Sequence, residues 1–137
     1  MQPIIKVANL SYYYDSIPSL DHISFTVDKG DFLGIIGPNG AGKTTLFQCM
    51  LGILNDFYGE INLFGFDIRQ DKKMLQRIGY VPQKKSVEQA FPATVSEIVS
   101  LGMIGRKINR ESIDSAIEFV ELGAYRNKRI DELSEGQ

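Results

Sequence analysis

The chain has 137 residues, enough for one domain with a modest hydrophobic core. Its formal net charge is −2, so it carries no overall basic field for binding nucleic acid. The sequence has no apolar run of the length that a membrane-spanning helix needs, and its single cysteine, Cys49, fits a reducing compartment. We therefore expect a protein that neither spans a membrane nor is exported, with no nucleic-acid partner.

Alternating apolar residues predict strands in the first part of the chain. Residues 4–14 form one predicted strand, with Ile5, Val7 and Asn9 on one side, and residues 23–27 form a half-buried strand. A turn at 28–31 connects that strand, as a hairpin, to the apolar run 32–36, which is predicted to be a buried strand. Further strands are predicted at 59–65 and 78–81, with a short helix at 71–77.

The pattern becomes helical from Thr94 onward. Thr94 and Glu97 form a capping-box sequence at the start of one predicted helix. Asn109 precedes a second helix, whose apolar residues recur every three or four positions at Ile113, Ala116, Ile117 and Val120. The change of period predicts a strand-rich lobe over residues 1–83 and a helical lobe over residues 84–137.

Residues 37–44 match G-x-x-x-x-G-K-[ST], the phosphate-binding loop, at every fixed position. The motif requires a strand before it and a helix after it, because glycines turn backbone N–H groups toward phosphate and the helix N-terminus adds a positive dipole. In this arrangement Lys43 places a charge on the β- and γ-phosphates, and Thr44 offers a hydroxyl to Mg²⁺. The predicted nucleotide contacts of the loop are Gly37, Pro38, Asn39, Gly40, Ala41, Gly42, Lys43, Thr44 and Thr45.

The other motifs exclude a GTPase. That class needs D-x-x-G and then N-K-x-D after the loop. Here the D-x-x-G sequence at 31–34 precedes the loop, and the N-K sequence at 127–130 ends on Ile130 instead of the aspartate that reads guanine.

Residues 133–137 read L-S-E-G-Q, and residues 78–83 read I-G-Y-V-P-Q. Together with the loop, these motifs resemble the ATP-binding cassette family, whose signature is L-S-G-G-Q. The resemblance covers essentially the whole chain in the right order. It implies an α/β fold, that of a P-loop NTPase, with a strand-rich nucleotide-binding lobe and a helical lobe after Gln83. It also implies ATP and Mg²⁺ as cofactors, held between two ATPase subunits in a head-to-tail dimer.

The resemblance assigns two residues outside the loop to the nucleotide. Tyr14 stands where the family has an aromatic ring that stacks on adenine, with Tyr12 on the same strand face as the alternative. Gln83 is expected to bind Mg²⁺ through its amide oxygen and to orient the attacking water through its NH₂ group. Lys43 and Gln83 are therefore the expected catalytic residues.

The signature is expected to serve the partner subunit. Ser134, Gly136 and Gln137 begin a predicted helix whose N-terminus points at the γ-phosphate held by the other subunit. Glu135 departs from the glycine of the family and introduces a carboxylate beside that phosphate.

The sequence over residues 87–102 is similar to the ATPase subunits of zinc and manganese importers, and metal-chelate importers (for siderophore, haem or cobalamin) share much of it. This implies a cytoplasmic subunit, peripheral on the inner face of the cell membrane and bound to transmembrane permease subunits. DNA-repair and chromosome ATPases carry a long insertion before the signature, which the interval from Gln83 to Ser134 does not allow. A nucleotide-binding regulator without turnover is a third hypothesis.

The family places an acidic strand and a switch histidine after the signature. The sequence ends at Gln137, and His22 precedes the phosphate loop. We therefore expect a truncated form without significant ATP hydrolysis, from a full-length parent that is an ATPase.

Overall fold

The computed structural model describes residues 2–81, 92–103 and 107–134. Within these residues, four antiparallel strands form one sheet in the order β2-β1-β3-β4. The strands are β1 (Ile5–Tyr14), β2 (Ile17–Val27), β3 (Tyr58–Leu63) and β4 (Phe66–Asp67). The helices are α1 (Lys43–Met50), α2 (Val95–Leu101) and α3 (Arg110–Phe119), with short 3₁₀ turns at Lys72–Arg77, Gly123–Tyr125 and Ile130–Glu132. The predicted combination of an antiparallel strand-rich region with helices is confirmed.

The chain divides into two compact units, residues 1–80 and 81–137, and each has a hydrophobic core of its own. In the first unit the core lies between the sheet and α1, and its buried residues are Val7, Leu10, Leu20, Leu46, Cys49, Phe57, Ile61, Leu63 and Ile68. In the second unit Val95 of α2 packs with Ile113 and Ile117 of α3.

Strand β1 departs from simple alternation at Asn9. Val7 is buried, as the alternation predicts, but Asn9 is exposed and Leu10 is buried instead. Asn9 has a left-handed backbone with φ 48°. Around it the register shifts between Val7 and Leu10 in the pairing with β2, and between Ala8 and Ser11 in the pairing with β3. The expected placement of Asn9 beside Val7 is therefore wrong, because a β-bulge adds one residue and moves the following side chains to the opposite faces.

The bulge is accommodated by Gly59 in β3. This residue has φ 92°, and a Cβ there would lie only 2.4 Å from the Asn9 carbonyl oxygen. The Arg69 guanidinium donates a hydrogen bond of 3.1 Å to the Gly59 carbonyl and lies 5.0 Å from the centre of the Phe57 ring. A residue without a side chain is required here, since the two backbones approach too closely for any other.

Two predicted strands are not formed. Residues 32–36 and 78–81 have no regular secondary structure, and the side chains of Phe32 and Ile36 are 100% and 96% exposed. Strand β2 pairs with β1, not with residues 32–36 as the hairpin prediction required. These predictions are wrong for the described chain because an apolar run becomes a strand only where a neighbouring strand accepts its hydrogen bonds. No strand among the described residues takes that place.

Helix α2 begins with the predicted capping box, which is confirmed. The Thr94 hydroxyl oxygen accepts from the Glu97 N–H at 3.3 Å, and the Glu97 carboxylate accepts from the Thr94 N–H at 2.8 Å. The hydrogen bonds from the Thr94 N–H and hydroxyl lower the pKa of Glu97, because they favour the carboxylate form.

Helix α3 begins as predicted at Asn109, whose side-chain oxygen accepts from the Glu111 N–H at 3.1 Å. Its buried stripe is narrower than the periodicity indicates. Ile113 and Ile117 are buried, whereas Ala116 and Val120 are exposed.

Candidate nucleotide-binding site

The predicted phosphate loop leads directly into α1. Gly42 is the last residue before the helix, and the first helical hydrogen bond runs from the Leu46 N–H to the Gly42 carbonyl at 2.8 Å. The N–H groups of Lys43, Thr44 and Thr45 lie before that bond in the first turn. They therefore have no hydrogen-bond acceptor within the helix. Such a turn, with the positive end of the helix dipole, can bind phosphate oxygens.

The side chain of Lys43 folds back across the start of the loop. Its Nζ donates hydrogen bonds to the carbonyl oxygens of Gly37, at 2.7 Å, and Pro38, at 2.6 Å. The Ala41 N–H donates to the same Pro38 carbonyl at 3.2 Å and closes a tight turn. The positive charge is therefore held beside the loop backbone, while residues 37–41, including Asn39 and Gly40, are exposed to solvent.

Gly42 brings the start of α1 against strand β2. It has φ 80°, and a Cβ at this position would lie 2.3 Å from the Ser19 carbonyl oxygen and 2.9 Å from Cδ2 of Leu20. Both partners belong to β2, so the backbone of the loop rests directly on that strand. The fixed glycine of the motif is thus required by a steric contact as well as by its backbone conformation.

The two threonines that follow Lys43 have different surroundings. Thr45 is 7% exposed, and its Oγ1 accepts a hydrogen bond of 3.0 Å from the Ser19 hydroxyl. Thr44 is exposed to solvent. Mg²⁺ usually binds through one or two protein oxygens together with substrate phosphates and water. Thr44 is an exposed residue with a hydroxyl group in the first helical turn, and it fits that requirement.

The tyrosines of β1 lie on the hairpin that also carries Ser19. Tyr12 pairs with Leu20, and Tyr14 pairs with Ile17 at the hairpin end. The rings of Tyr12 and Tyr14 meet edge to face, with centres 5.0 Å apart and an interplanar angle of 76°. Tyr12 packs against the core. Burial raises the pKa of Tyr12, and the nearby Tyr14 adds a smaller effect in the same direction. Tyr14 itself is 47% exposed. Of the two candidates, Tyr14 presents the more accessible ring.

The remaining predicted site residues are only partly within the described chain. Gln83, Gly136 and Gln137 lie outside the described residues. Ser134 is exposed and follows Leu133, a partly buried residue that packs against the core of the second unit.

Ser19 is a residue of the site that no sequence pattern marks. It lies far from the loop in the chain and carries no motif. Only the pairing of β2 with β1 and the packing of α1 on β2 bring it to Gly42 and Thr45, so no local signal could have identified it.

A cavity of about 640 Å³ lies elsewhere on the first unit and is not the predicted site. None of the loop residues lines it; its lining residues are Ser11, Tyr13, Asp15, His22, Asp56 and Tyr58. Within the described ranges, no group of three or more histidine, cysteine, aspartate or glutamate side chains could hold a metal ion.

A family model for ABC transporters matches residues 20–137, which is most of the chain. The chain belongs to the ABC transporter family. The match begins in β2, includes the phosphate loop and runs to the end of the sequence.

Two curated relatives of this ABC domain are metal transport proteins. The zinc uptake system ATP-binding protein ZurA of Listeria innocua is 43% identical over 146 residues, which cover 100% of this chain and 56% of ZurA. The manganese transport system ATP-binding protein MntB of Bacillus subtilis is 36% identical over 141 residues, which cover 97% of this chain and 55% of MntB. The chain thus spans about half the length of the curated relatives it matches.

The fold is that of known ABC ATPases. The solved structure of cbiO1 from Clostridium perfringens, part of the ABC transporter complex cbiONQ, is 31% identical with a TM-score of 0.78. The similarity covers 98% of this chain and 57% of cbiO1. In the part of this ABC domain that the structure describes, no helix has the length and apolar character to cross a bilayer.

Replacing Gly42 with alanine tests the contact between the loop and β2, with Gly40→Ala as the matched control. Both glycines have a left-handed backbone, with φ 80° and 84°, but a Cβ at Gly40 meets nothing within 4 Å. We expect Gly40→Ala to lower the free energy of unfolding by about 1–2 kcal/mol, from backbone strain alone. Gly42→Ala should lose about 2 kcal/mol more, since the β2 backbone must move. Urea unfolding followed by circular dichroism measures both, and equal losses contradict the steric role.

Proposed function

We propose that this chain is the nucleotide-binding part of the ATP-hydrolysing subunit of an ABC importer for zinc or manganese. The observation that carries the proposal is the phosphate loop itself, with a lysine held over it and a helix N-terminus behind it. Family membership supports ATP as the ligand. The printed functions of ZurA and MntB support a metal ion as the transported substrate.

In this proposal the triphosphate binds along the loop from Gly37 to Thr45. Backbone N–H groups of the first turn of α1 donate to phosphate oxygens, and the Lys43 ammonium leaves its loop carbonyls for the β- and γ-phosphates. Thr44 and Gln83 hold Mg²⁺, and Gln83 also orients the attacking water. When bound, Mg²⁺ neutralises charge that develops on the phosphates during phosphoryl transfer.

The adenine ring stacks on Tyr14 in this proposal. Its exposed ring, at the end of the hairpin whose second strand contacts the loop, suits a base that must lie within one nucleotide length of the phosphates. Stacking on an aromatic face is tolerant of base identity. The loop therefore supplies most of the charge recognition, and Tyr14 supplies apolar contact.

The proposal divides the chain into a nucleotide-binding lobe over residues 1–83 and a helical lobe over residues 84–137. Ser134, Gly136 and Gln137 contact the nucleotide of a second ATPase subunit in a head-to-tail dimer. Glu135 places a carboxylate near that nucleotide, and we expect it to weaken binding across the dimer through repulsion of like charges.

The subunit is proposed to bind transmembrane permease subunits on the cytoplasmic face of the membrane. The assignment of zinc or manganese as the transported ion rests on similarity to ZurA and MntB. Among the described residues, no group of side chains could hold a metal ion.

Replacing Lys43 with alanine should weaken ATP binding far more than AMP binding. The ammonium acts on the β- and γ-phosphates, which AMP lacks, and a charge-assisted hydrogen bond contributes about 1.5–3 kcal/mol. Isothermal titration calorimetry of the 137-residue chain with both nucleotides measures the difference. Lys6→Ala, an exposed lysine on β1, is the charge-matched control and should change neither affinity. Equal losses for ATP and AMP rule out the role assigned to Lys43.

Replacing Tyr14 with alanine should cost about 1–3 kcal/mol of binding free energy for any purine nucleotide, by loss of base stacking. Tyr13→Ala is the matched control, because the Tyr13 ring packs edge to face on Tyr58, with centres 6.1 Å apart, instead of on Tyr12. Fluorescence titration with ATP and GTP measures both variants. If Tyr13→Ala and not Tyr14→Ala lowers affinity, the stacking residue is misassigned.

Disrupting the gene in its own cell should lower zinc or manganese content during growth in metal-limited medium. Elemental analysis of washed cells measures both metals, and the intact gene restores them whereas the Lys43→Ala gene does not. Unchanged zinc and manganese, together with loss of uptake of another substrate, contradict the metal assignment and leave the nucleotide site unaffected.

A further inference from the structure

We propose that Ser19 is a positioning residue of the nucleotide site, which holds the first turn of α1 against β2 through two separate contacts. The inference rests on the proposed function, because the role it gives to Ser19 is to keep the phosphate loop in a binding geometry. Ser19 contacts the loop and its helix, and no phosphate contact is assigned to it.

The first contact is made by the backbone of Ser19. Its carbonyl oxygen lies 2.3 Å from the position that a Cβ of Gly42 would occupy. The residue that precedes α1 is therefore pressed against β2 with no side chain between the two backbones. This contact limits how far the loop can approach the strand, but by itself it does not stop the helix from rotating about its axis.

The second contact is made by the side chain. The Ser19 hydroxyl donates to Thr45 Oγ1 at 3.0 Å, and Thr45 is 7% exposed. A buried hydroxyl that loses its partner is costly, because water cannot readily replace the bond. Gly42 and Thr45 lie at the two ends of the first turn, so one β2 residue contacts that turn at both ends. Two contacts set both the distance and the rotation of the turn, and hence the direction of its N–H groups.

The same segment of β2 also supports the tyrosines. Leu20, the next residue, pairs with Tyr12, whose ring contacts Tyr14. The proposed base-stacking ring and the phosphate loop are thus attached to adjacent residues of one strand. Ser19 provides the polar part of this attachment, and we expect its loss to loosen the phosphate side of the site more than the base side.

The test uses Ser19→Ala, Thr45→Val and the double variant in the 137-residue chain, with Mg²⁺–ATP and adenosine as ligands. Each single variant removes one hydroxyl and therefore the hydrogen bond between residues 19 and 45. It should raise the Kd for Mg²⁺–ATP about three- to tenfold, with little change in the Kd for adenosine. The double variant should be no weaker than the weaker single variant, because both remove the same bond. Additive losses, or equal losses for ATP and adenosine, overturn the proposal.

Ser24→Ala is the matched control, since Ser24 lies on the same strand and accepts a hydrogen bond of 2.8 Å from the Asn9 N–H, away from α1. It should destabilise the hairpin without a change in ATP affinity beyond about twofold. If Ser24→Ala lowers ATP affinity as much as Ser19→Ala does, any loss of stability in β2 lowers ATP affinity. That result would overturn the positioning role of Ser19.

Hydrogen exchange of the α1 amides, measured without nucleotide, separates this inference from the proposed function. Ser19→Ala and Thr45→Val should each speed exchange in α1 by about three- to tenfold, and Ser24→Ala should not. If the unmodified chain does not bind ATP, the proposed function fails, while the exchange result still decides whether Ser19 positions the loop. Identical α1 exchange in Ser19→Ala and Ser24→Ala overturns the inference.

Discussion

The close approach of α1 to strand β2 is the contact on which the candidate site depends. Gly42 lacks the Cβ that would collide with the β2 backbone, so the helix starts directly against the strand. From that start, Leu46 and Cys49 of α1 enter the core beneath the sheet. Burial raises the pKa of the Cys49 thiol to about 11, so the cysteine is a neutral core residue. One steric condition therefore sets both the direction of the loop and the packing of its helix.

The bulge in β1 and the register shifts that follow it determine which tyrosine lies beside the core. Val7 is buried before the bulge, and Leu10 is buried after it. Tyr12 and Tyr14 continue the series that Leu10 begins, whereas Tyr13 packs on Tyr58. The bulge at Asn9 exchanges the two faces of β1. Two further register shifts against β2 lie between Leu10 and Tyr12 and between Tyr12 and Tyr13, so the placement of the aromatic rings follows from all three shifts. Gly59 makes the bulge possible, since any side chain there would meet the Asn9 backbone.

The charge of the site is concentrated in a few groups. Lys43 is the cation that contacts the loop, and the first turn of α1 adds backbone donors of fixed direction. Backbone donors recognise phosphate without regard to the base, which is compatible with the proposed stacking of the base on the exposed Tyr14 ring.

The features that the sequence by itself determined are those that depend on neighbouring residues. The start of α1 after Gly42, the capping box at Thr94 and the cap at Asn109 are formed by groups within a few positions of each other, and the alternation in residues 23–27 is retained in β2. Tertiary structure decided the rest. The bulge at Asn9, the failure of residues 32–36 to form a strand, and the contact of Ser19 with Gly42 and Thr45 all depend on backbones distant in sequence. Apolar character predicts a tendency toward burial, but a partner strand and its register, which local pattern does not specify, determine whether the burial occurs.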